Sequence, residues 1–301
     1  MMLKRVVRYA AVDLTNRTAD IKEIQAESFG TWSMHLEEMG FWWEADASTM
    51  ALTTGVLTGT GAPGTGAFIW SYLKNGKLQN VAAEGRLGAA MRYAGVDVLV
   101  LYGKSETPLC LTIDDGELAL TEQAADYASL LANRKNEDAV ITTVSRKAVT
   151  EDKYFAISDG AVAKRLLDKG VAAIVAEATG ALQVADASRL AAICTELYQA
   201  GIASGAAVGS SRKHPVRFLS LDSAADLEGP VSYENPVEAE NAVYAALGII
   251  WSKALERCDQ KRYTAELISA CLGTPCCEAD LDVLFAHLAE LQQKKVEGGA
   301  V

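Results

Sequence analysis

Two glycine-dense loops stand among apolar runs in the first third of the chain: GVLTGTGAPGTGAFIW over residues 55–70 and AAEGRLGAAMRYAGVDVLVLYGKSETP over residues 82–108. Glycine lets a backbone adopt positive φ or approach a flat or anionic group closely, as a loop that cradles a cofactor does. The basic side chains that would bind an anion are nearly absent from both loops. The pattern therefore predicts a cofactor-type backbone that lacks the usual anion-binding side chains.

Length and charge limit the classes of partner. The 301 residues suggest about two domains, and 39 acidic against 28 basic residues give a formal net charge of -11. Such a charge opposes binding to nucleic acid or to an anionic membrane surface. The first residues turn polar too soon for a signal peptide, and no apolar run reaches the roughly 20 residues of a membrane span. We expect a cytoplasmic protein with no nucleic-acid and no membrane partner.

The six cysteines do not form a recognisable metal motif. Cys258, Cys271, Cys276 and Cys277 crowd the C-terminal part, but no C-x-x-C spacing occurs, and adjacent cysteines are awkward as joint ligands of one metal. We interpret them as incidental thiols in a reducing compartment, with a zinc or iron–sulfur site as the alternative. We assign no metal ligand and no catalytic residue.

The apolar pattern predicts an α+β fold. Alternation predicts a β-hairpin over residues 6–24, and short apolar runs predict more strands. These are residues 51–58, 68–73, 78–82, 97–102, 109–113, 118–120, 139–144 and 154–157, and VAAIVA at 171–176. Helices are predicted over residues 88–94, 124–133, 161–170 and 187–200. Short strands with few helices between them favour an α+β domain over a doubly wound one.

The chain is predicted to divide into three parts. Residues 1–210 form the β-rich domain, and the polar, turn-rich residues 211–235 form a linker. Residues 236–301 form a helical region, with helices expected over 237–257, 263–271 and 278–296. Three helices alone make a poor core, so we expect them to dock on the sheet domain.

Several motifs, in order, carry a family resemblance. They are VVRYAAVDLTNRTADI at 6–21, LTGTGAP at 57–63, GRLGAAMRYAGVDVLVLYGKSETP at 85–108, ISDG at 157–160 and AELISACLGTPCCEADLDVLFAHLAELQQKK at 265–295. Together they resemble the aldehyde:ferredoxin oxidoreductases, whose N-terminal domain is the β-rich base for two pterins that hold tungsten or molybdenum. Family members are about twice as long, and the middle region with the iron–sulfur cysteines has no counterpart here.

The resemblance implies a set of cofactor-binding positions, which we interpret as vestigial. They are Gly59, Gly61, Gly66, Gly85, Arg86, Gly88, Gly170 and Gly248. Four neighbouring departures from the family pattern remove polar contacts. Ala67 replaces an arginine whose fork would bind phosphate, and Glu84 would place a carboxylate beside pterin phosphates. Ala245 and Ile250 stand where the family has an aspartate and a cluster-ligating cysteine.

These departures lead to two hypotheses. In the first, the chain is a truncated, non-catalytic scaffold or accessory subunit of the family, with no resident cofactor. It then works as a homo-oligomer or as a partner of a larger redox subunit. In the second, it is an oxidoreductase component that holds a tungsten or molybdenum bis-pterin, or another small cofactor, and a partner chain completes the oxidation of an aldehyde or other oxo group.

Overall fold

The computed structural model describes residues 5–26, 45–74, 77–123, 126–152, 155–158, 160–177, 180–199, 236–251, 255 and 257–286. The predicted linker 211–235 and the domain boundary at residue 210 lie outside these ranges, so the division into three parts stays a prediction. Within them, twelve strands form two six-stranded sheets, and helices cover their faces. The predicted α+β class is confirmed.

The first sheet begins with the predicted hairpin. Its strands are β1 (Arg5–Asp13), β2 (Thr18–Ala26), β3 (Met50–Thr54), β4 (Ala67–Lys74), β5 (Lys77–Glu84) and β6 (Val98–Tyr102). They lie in the order β2-β1-β6-β3-β4-β5. All neighbours pair antiparallel except β1 and β6, which run parallel. The strand predicted over 51–58 ends at Thr54, because the chain turns there into the first glycine loop.

The second sheet follows from the later apolar runs. Its strands are β7 (Leu109–Asp114), β8 (Glu117–Glu122), β9 (Val140–Val144), β10 (Val149–Glu151), β11 (Phe155–Ser158) and β12 (Val171–Glu177). They lie in the order β11-β10-β9-β12-β7-β8, with β12 and β7 parallel. The three-residue β10 was not predicted, because it is too short to show an alternating pattern.

Helices connect and cover the sheets. Those described are α1 (Arg86–Tyr93), α2 (Tyr127–Asn133), α3 (Gly160–Asp168), α4 (Ala187–Gln199), α5 (Pro236–Leu247) and α6 (Arg257–Leu272). Residues 278–286 are also helical. Among the described residues, no helix combines the length and the apolar character needed to cross a bilayer.

The largest shared core lies between the two sheets. Phe68 and Trp70 point into it from β4, and Ile174 joins it from β12. Helix α1 lies between the sheets and contributes Leu87 and Met91, both fully buried. The loop that precedes α1 is therefore fixed by tight packing on both sides.

The outer face of the first sheet carries the C-terminal helices. Ile69 points outward between the inward Phe68 and Trp70, as the period of two in a strand requires, and it packs in one cluster with Tyr244 of α5 and Leu267 of α6. The central strands β3, β4 and β6 are buried on both faces and read as nearly continuous apolar runs, whereas the edge strand β2 is largely exposed. The expected docking of the helical region on the sheets is confirmed. Helix α2 covers the outer face of the second sheet.

The single helix predicted over residues 237–257 is wrong. Helix α5 ends at Leu247, and Gly248 follows with a φ of 94°. The amides of Gly248 and Ile249 donate to the carbonyls of Ala245 and Tyr244, at 3.0 Å each. A glycine in this conformation, bonded back to the last turn, is a common helix ending.

Gly248→Ala tests this helix ending. A Cβ at Gly248 would overlap backbone and side-chain atoms of Thr58, in addition to the strain of positive φ. We expect a loss of more than about 2 kcal/mol in the free energy of unfolding, measured by urea titration. The matched control is Gly61→Ala, where φ is 83° but the space is open, and we expect about 1 kcal/mol there. Equal losses in the two variants would contradict this account.

Candidate cofactor cradle at the glycine loops

The two glycine loops meet around α1. The first loop comprises residues 55–66 and the second residues 84–88, and together they are called the glycine cradle. The Gly85 amide donates to the Gly66 carbonyl at 3.2 Å and joins the two loops. Gly59 lies against Ala89 of α1, and Gly88 lies against Phe68 of β4. The structure therefore brings the predicted site residues Gly59, Gly61, Gly66, Gly85, Arg86 and Gly88 together.

Gly170 does not belong to this group. It forms the turn between α3 and β12, with a φ of 83°, and a Cβ there would lie 2.5 Å from the carbonyl oxygen of Ser105. Its amide bonds to Leu167, and its carbonyl accepts from Leu109 at 2.8 Å. Gly170 therefore allows close packing at the edge of the second sheet. The family resemblance of the chain had instead suggested that Gly170 lies in the cofactor site.

Gly248 reaches the cradle from the C-terminal part of the chain and closes the first loop. A Cβ at Gly55 would overlap the backbone of Leu247, and one at Gly64 would overlap the carbonyl of Ile250. Three backbone hydrogen bonds join the segments: Leu57 N to Leu247 O (2.7 Å), Ala67 N to Gly248 O (3.3 Å) and Ile250 N to Gly64 O (2.9 Å). Several loop glycines thus make room for this chain's own backbone.

The second loop leads into the N-terminus of α1, and the carboxylate of Glu151 binds to the first amides of this helix. Helix N-termini attract anions because their amides are unpaired and the helix dipole is positive there. Here the Arg86 amide donates to Glu151 Oε2 at 2.9 Å, and the Leu87 amide also bonds to that carboxylate. The Arg86 guanidinium pairs with Asp152 and lies 3.4 Å from the Asp138 carbonyl. Residues of the chain thus occupy the donors that could hold a phosphate.

Two carboxyls in this region are shielded from water. Burial raises the pKa of Glu84 to about 8, and Glu84 Oε1 has no hydrogen-bond partner among the described residues. Burial also raises the pKa of Glu151 to about 7, against the opposing effect of the hydrogen bond from Arg86. Burial accounts for the raised pKa of Glu84, and at Glu151 it outweighs the charge and hydrogen bonds of the neighbouring residues, so both carboxyls can carry a proton near neutral pH.

The positions where the resemblance implies polar ligands in the family are apolar and enclosed in this chain. Ala67 and Ala245 are fully buried, and Ile250 is 5% exposed. Leu87 of the second loop and Leu166 of α3 are buried in the core between the sheets. None of these side chains can donate a hydrogen bond to an oxyanion.

A cavity of about 610 Å³ lies beside the cradle, lined by the first loop, the C-terminal part of α1, residues 181–184 and the end of α6. Its two arginines are already ion-paired: Arg8 with Glu23 and Arg92 with Asp97, each at 3.1 Å. Arg92 also donates to carbonyls of the first loop. The described lining therefore offers no unpaired cation to a pterin phosphate, and a bis-pterin does not fit this donor set.

Sequence reasoning missed the residues that occupy the cradle. Glu151 and Asp152 lie about 65 positions after Arg86, and only the pairing of β9, β10 and β11 brings them to it. Arg92 was noticed only as part of the GRLGAAMRYAG run. Its side chain is 8% exposed, and a buried arginine requires internal acceptors, so its burial on an apolar helix was the one available signal.

Glu84→Gln tests the shielded carboxyl. An unfolded glutamate titrates near 4.5 and the folded Glu84 near 8, so the folded state binds the extra proton between these values. The free energy of unfolding must then fall as pH rises through this window, by at most about 1.4 kcal/mol per pH unit.

We expect E84Q to flatten this fall in urea titrations at pH 5, 6.5 and 8. Glu196→Gln, at an exposed position of α4, should leave the slope unchanged. Parallel profiles for wild type and E84Q would contradict the assignment.

Comparison with known proteins identifies a matching family model and a similar solved structure. A family model described as "Aldehyde ferredoxin oxidoreductase, N-terminal domain" matches residues 9–178. Among solved structures, the chain is similar to the active site complex BamBC of benzoyl coenzyme A reductase in complex with 1,5-dienoyl-CoA, with a TM-score of 0.53 and 17% identity. The likeness covers 68% of this chain and 36% of that one, and at this identity it shows the fold alone. Because the family model spans more than half of its residues, the chain belongs to the aldehyde ferredoxin oxidoreductase family.

Proposed function

We propose that this chain is a non-catalytic scaffold or accessory subunit of its family, which acts by association and holds no bis-pterin. One observation carries the proposal: the glycine cradle is closed by the chain itself. Glu151 occupies the N-terminus of α1, and residues 247–250 lie on the first loop. The backbone of a cofactor platform is kept, while its contact surface is used for internal packing.

The energetics of phosphate binding support this proposal. Each charge-assisted hydrogen bond to a phosphate contributes about 1.5–3 kcal/mol, and a pterin site needs several. Arg86 in the cradle and Arg92 in the cavity beside it would first have to leave their partners Asp152 and Asp97. Each freed carboxylate would then stand uncompensated beside the incoming phosphate, as would Glu84 once ionised.

The cysteine pattern supports the absence of an iron–sulfur cluster. The 301 residues contain no C-x-x-C spacing, and the resemblance implies that Ile250 stands at the position of a family cluster ligand. Within the described ranges, no three or more His, Cys, Asp or Glu side chains are grouped to hold a metal ion. Without such a cluster, electrons would have no exit from a redox centre in this chain.

The proposed mode of action is association with a second chain. The similar solved structure is a complex, BamBC, so this fold occurs in a multi-subunit assembly. We propose a larger redox subunit of the same family as the partner, with a homo-oligomer as the alternative.

A specific observation favours the second hypothesis as a competing function, an oxidoreductase component with another small cofactor. Thr60 lines the 610 Å³ cavity, and its Oγ1 is buried without a hydrogen-bond partner among the described residues. Gly61 beside it has open space around its Cα. A volume of this size suits one small organic ligand.

Metal and cofactor analysis of protein purified anaerobically from its native host separates the two functions. We expect less than about 0.1 tungsten or molybdenum atoms per chain, because the N-terminus of α1 and the side chains of Arg86 and Arg92 are already paired within the chain. A full-length family member prepared in parallel is the positive control. Near-stoichiometric metal with pterin would overturn the proposal. A metal-free organic cofactor, released by heat and identified by mass spectrometry, would instead establish the competing function.

The mass of the same native preparation tests association. We expect size-exclusion chromatography with light scattering to give more than the mass of one chain. Mass spectrometry of the peak then identifies either a second, larger subunit or this chain alone. A monomer at micromolar concentration, with no co-purifying subunit, would contradict a scaffold or accessory role.

A further inference from the structure

Strand β1 is paired along only part of one side. Strand β2 follows it over its whole length, from Arg5 to Asp13, whereas β6 pairs with it only from Tyr9 onwards. The contact that ends this pairing comes from Asp97, whose amide donates to the Arg8 carbonyl at 2.9 Å and whose carboxylate accepts from the Arg8 amide at 3.0 Å. Before Arg8, no described strand pairs with β1 on this side, and we call this part of β1 the open edge.

Strand geometry shows which backbone groups face the open edge. Along a strand of an antiparallel pair, the N–H and C=O of successive residues point alternately towards the partner strand and away from it. Because Arg8 bonds to Asp97, its backbone groups point away from β2, and those of Val6, two residues earlier, point the same way. The N–H and C=O of Val6 therefore face the open edge, and Val6 has a register partner only on β2.

The 610 Å³ cavity lies at the open edge. Val6 lines it and lies on the inner face of the first sheet, because it is an even number of residues from Ala10 of the inner core. Val56 and Leu272 also line it, and both pack in the cluster on the outer face. A cavity with walls from both faces lies at the level of the sheet itself, where a continuation of β6 would pair with β1.

A second wall of the cavity also has unpaired backbone groups. Residues 181–184 line it, and no described residue bonds to their amides or carbonyls. Exposure alternates along this segment, since Ala181 and Gln183 are exposed while Leu182 and Val184 are half-buried. The segment therefore presents apolar side chains and free backbone groups beside the open edge.

The open edge can be reached from water. Val6 is 47% exposed, which makes it one of the few large apolar side chains with such exposure in the described part of the chain. Unpaired main-chain groups next to exposed apolar side chains are what an added strand binds: its own main chain supplies the hydrogen bonds, and its alternate side chains supply specificity. An extended peptide matches this combination of groups.

The charges of the cavity favour a basic peptide. Arg8 is paired with Glu23 and Arg92 with Asp97, whereas the exposed Asp115 has no ion pair with a described residue. The whole chain carries a formal charge of -11. A lysine or arginine in the bound peptide would therefore meet a complementary charge.

We propose that the open edge binds an extended segment of the larger partner subunit, which adds to β1 as a short strand. The main chain of the segment bonds to Val6, and successive side chains face Val6 on the inner face and Val184 on the outer face. A basic residue of the segment faces Asp115. The inference rests on the proposed association with a larger subunit and assigns the cavity to that subunit rather than to a small cofactor.

Val6→Pro tests the main-chain hydrogen bond. Proline removes the N–H that faces the open edge, and the hairpin keeps its hydrogen bonds because that N–H does not bond to β2. The larger subunit that co-purifies with the wild type is purified and titrated against each full-length variant by biolayer interferometry. We expect Val6→Pro to raise the dissociation constant by about tenfold or more, because a carbonyl of the segment loses its donor. Val6→Thr keeps the N–H and the branched shape, and it should bind as the wild type does.

Two further variants keep the inference falsifiable if Val6→Pro folds poorly, which circular dichroism melts would reveal. Ala181→Trp should fill the cavity from an exposed position and also weaken binding by about tenfold. Asp115→Asn keeps a residue type that tolerates the φ of 47° at this position, and it should weaken binding by about twofold or more because the charge is lost. Glu196→Gln on α4 is the control for a lost surface charge.

Cross-linking identifies the occupant. p-Benzoylphenylalanine at position 181 of the full-length chain, irradiated in the native host, should cross-link to one segment of the larger subunit, and peptide mapping should show apolar residues and a lysine or arginine there. If well-folded Val6→Pro and Ala181→Trp bind the larger subunit as the wild type does, the inference is overturned while the association stands. A cross-link to a second copy of this chain also overturns it. A wild type that co-purifies with no larger subunit overturns both the inference and the partner proposed above.

Discussion

Direct contact between two stretches of backbone holds the helical layer on the first sheet. Residues 247–250 lie directly against residues 55–67, and we call this contact the seam. Main-chain amides and carbonyls form hydrogen bonds across it, and no side chain lies between the two stretches. The side chains around Tyr244 and Leu267 can repack when one of them changes, but this seam cannot, because its spacing is set by hydrogen-bond length. The orientation of α5 therefore follows from the seam, and α6 packs within the cluster that α5 helps to form.

Helix α1 has a comparable role between the sheets. Its side chains fill the core, while its first amides bond to Glu151 of the second sheet and its Arg92 bonds to carbonyls of the first loop. A short helix thus links both sheets through polar groups at its two ends. A ligand at either end of α1 would compete with contacts that also stabilise the fold. In this respect the cradle differs from a preformed and empty binding site.

Local pattern predicted much of this architecture, and long-range pairing explains what it missed. The hairpin of β1 and β2 and most later strands follow from alternation, since one face of each is apolar. The end of α5 was misjudged because residues 249–251 are as apolar as the helix before them, and only the partner loop makes Gly248 a terminus. The glycine loops were located correctly from sequence, but the occupants of the cradle were not. Glu151 carries no local signal of its distant contact with Arg86.

The seam also determines which contacts can form early and which only late while the chain is being synthesised. The amide of Leu57 finds its acceptor on Leu247, so roughly 190 residues must be made before that bond can form. At about 5–20 residues per second, this interval lasts roughly 10–40 s. During it, the sheets can assemble while the first loop still faces water with its glycines unconfined. The hydrogen bonds that close the first loop are therefore among the last of the described fold that can form as the chain is made.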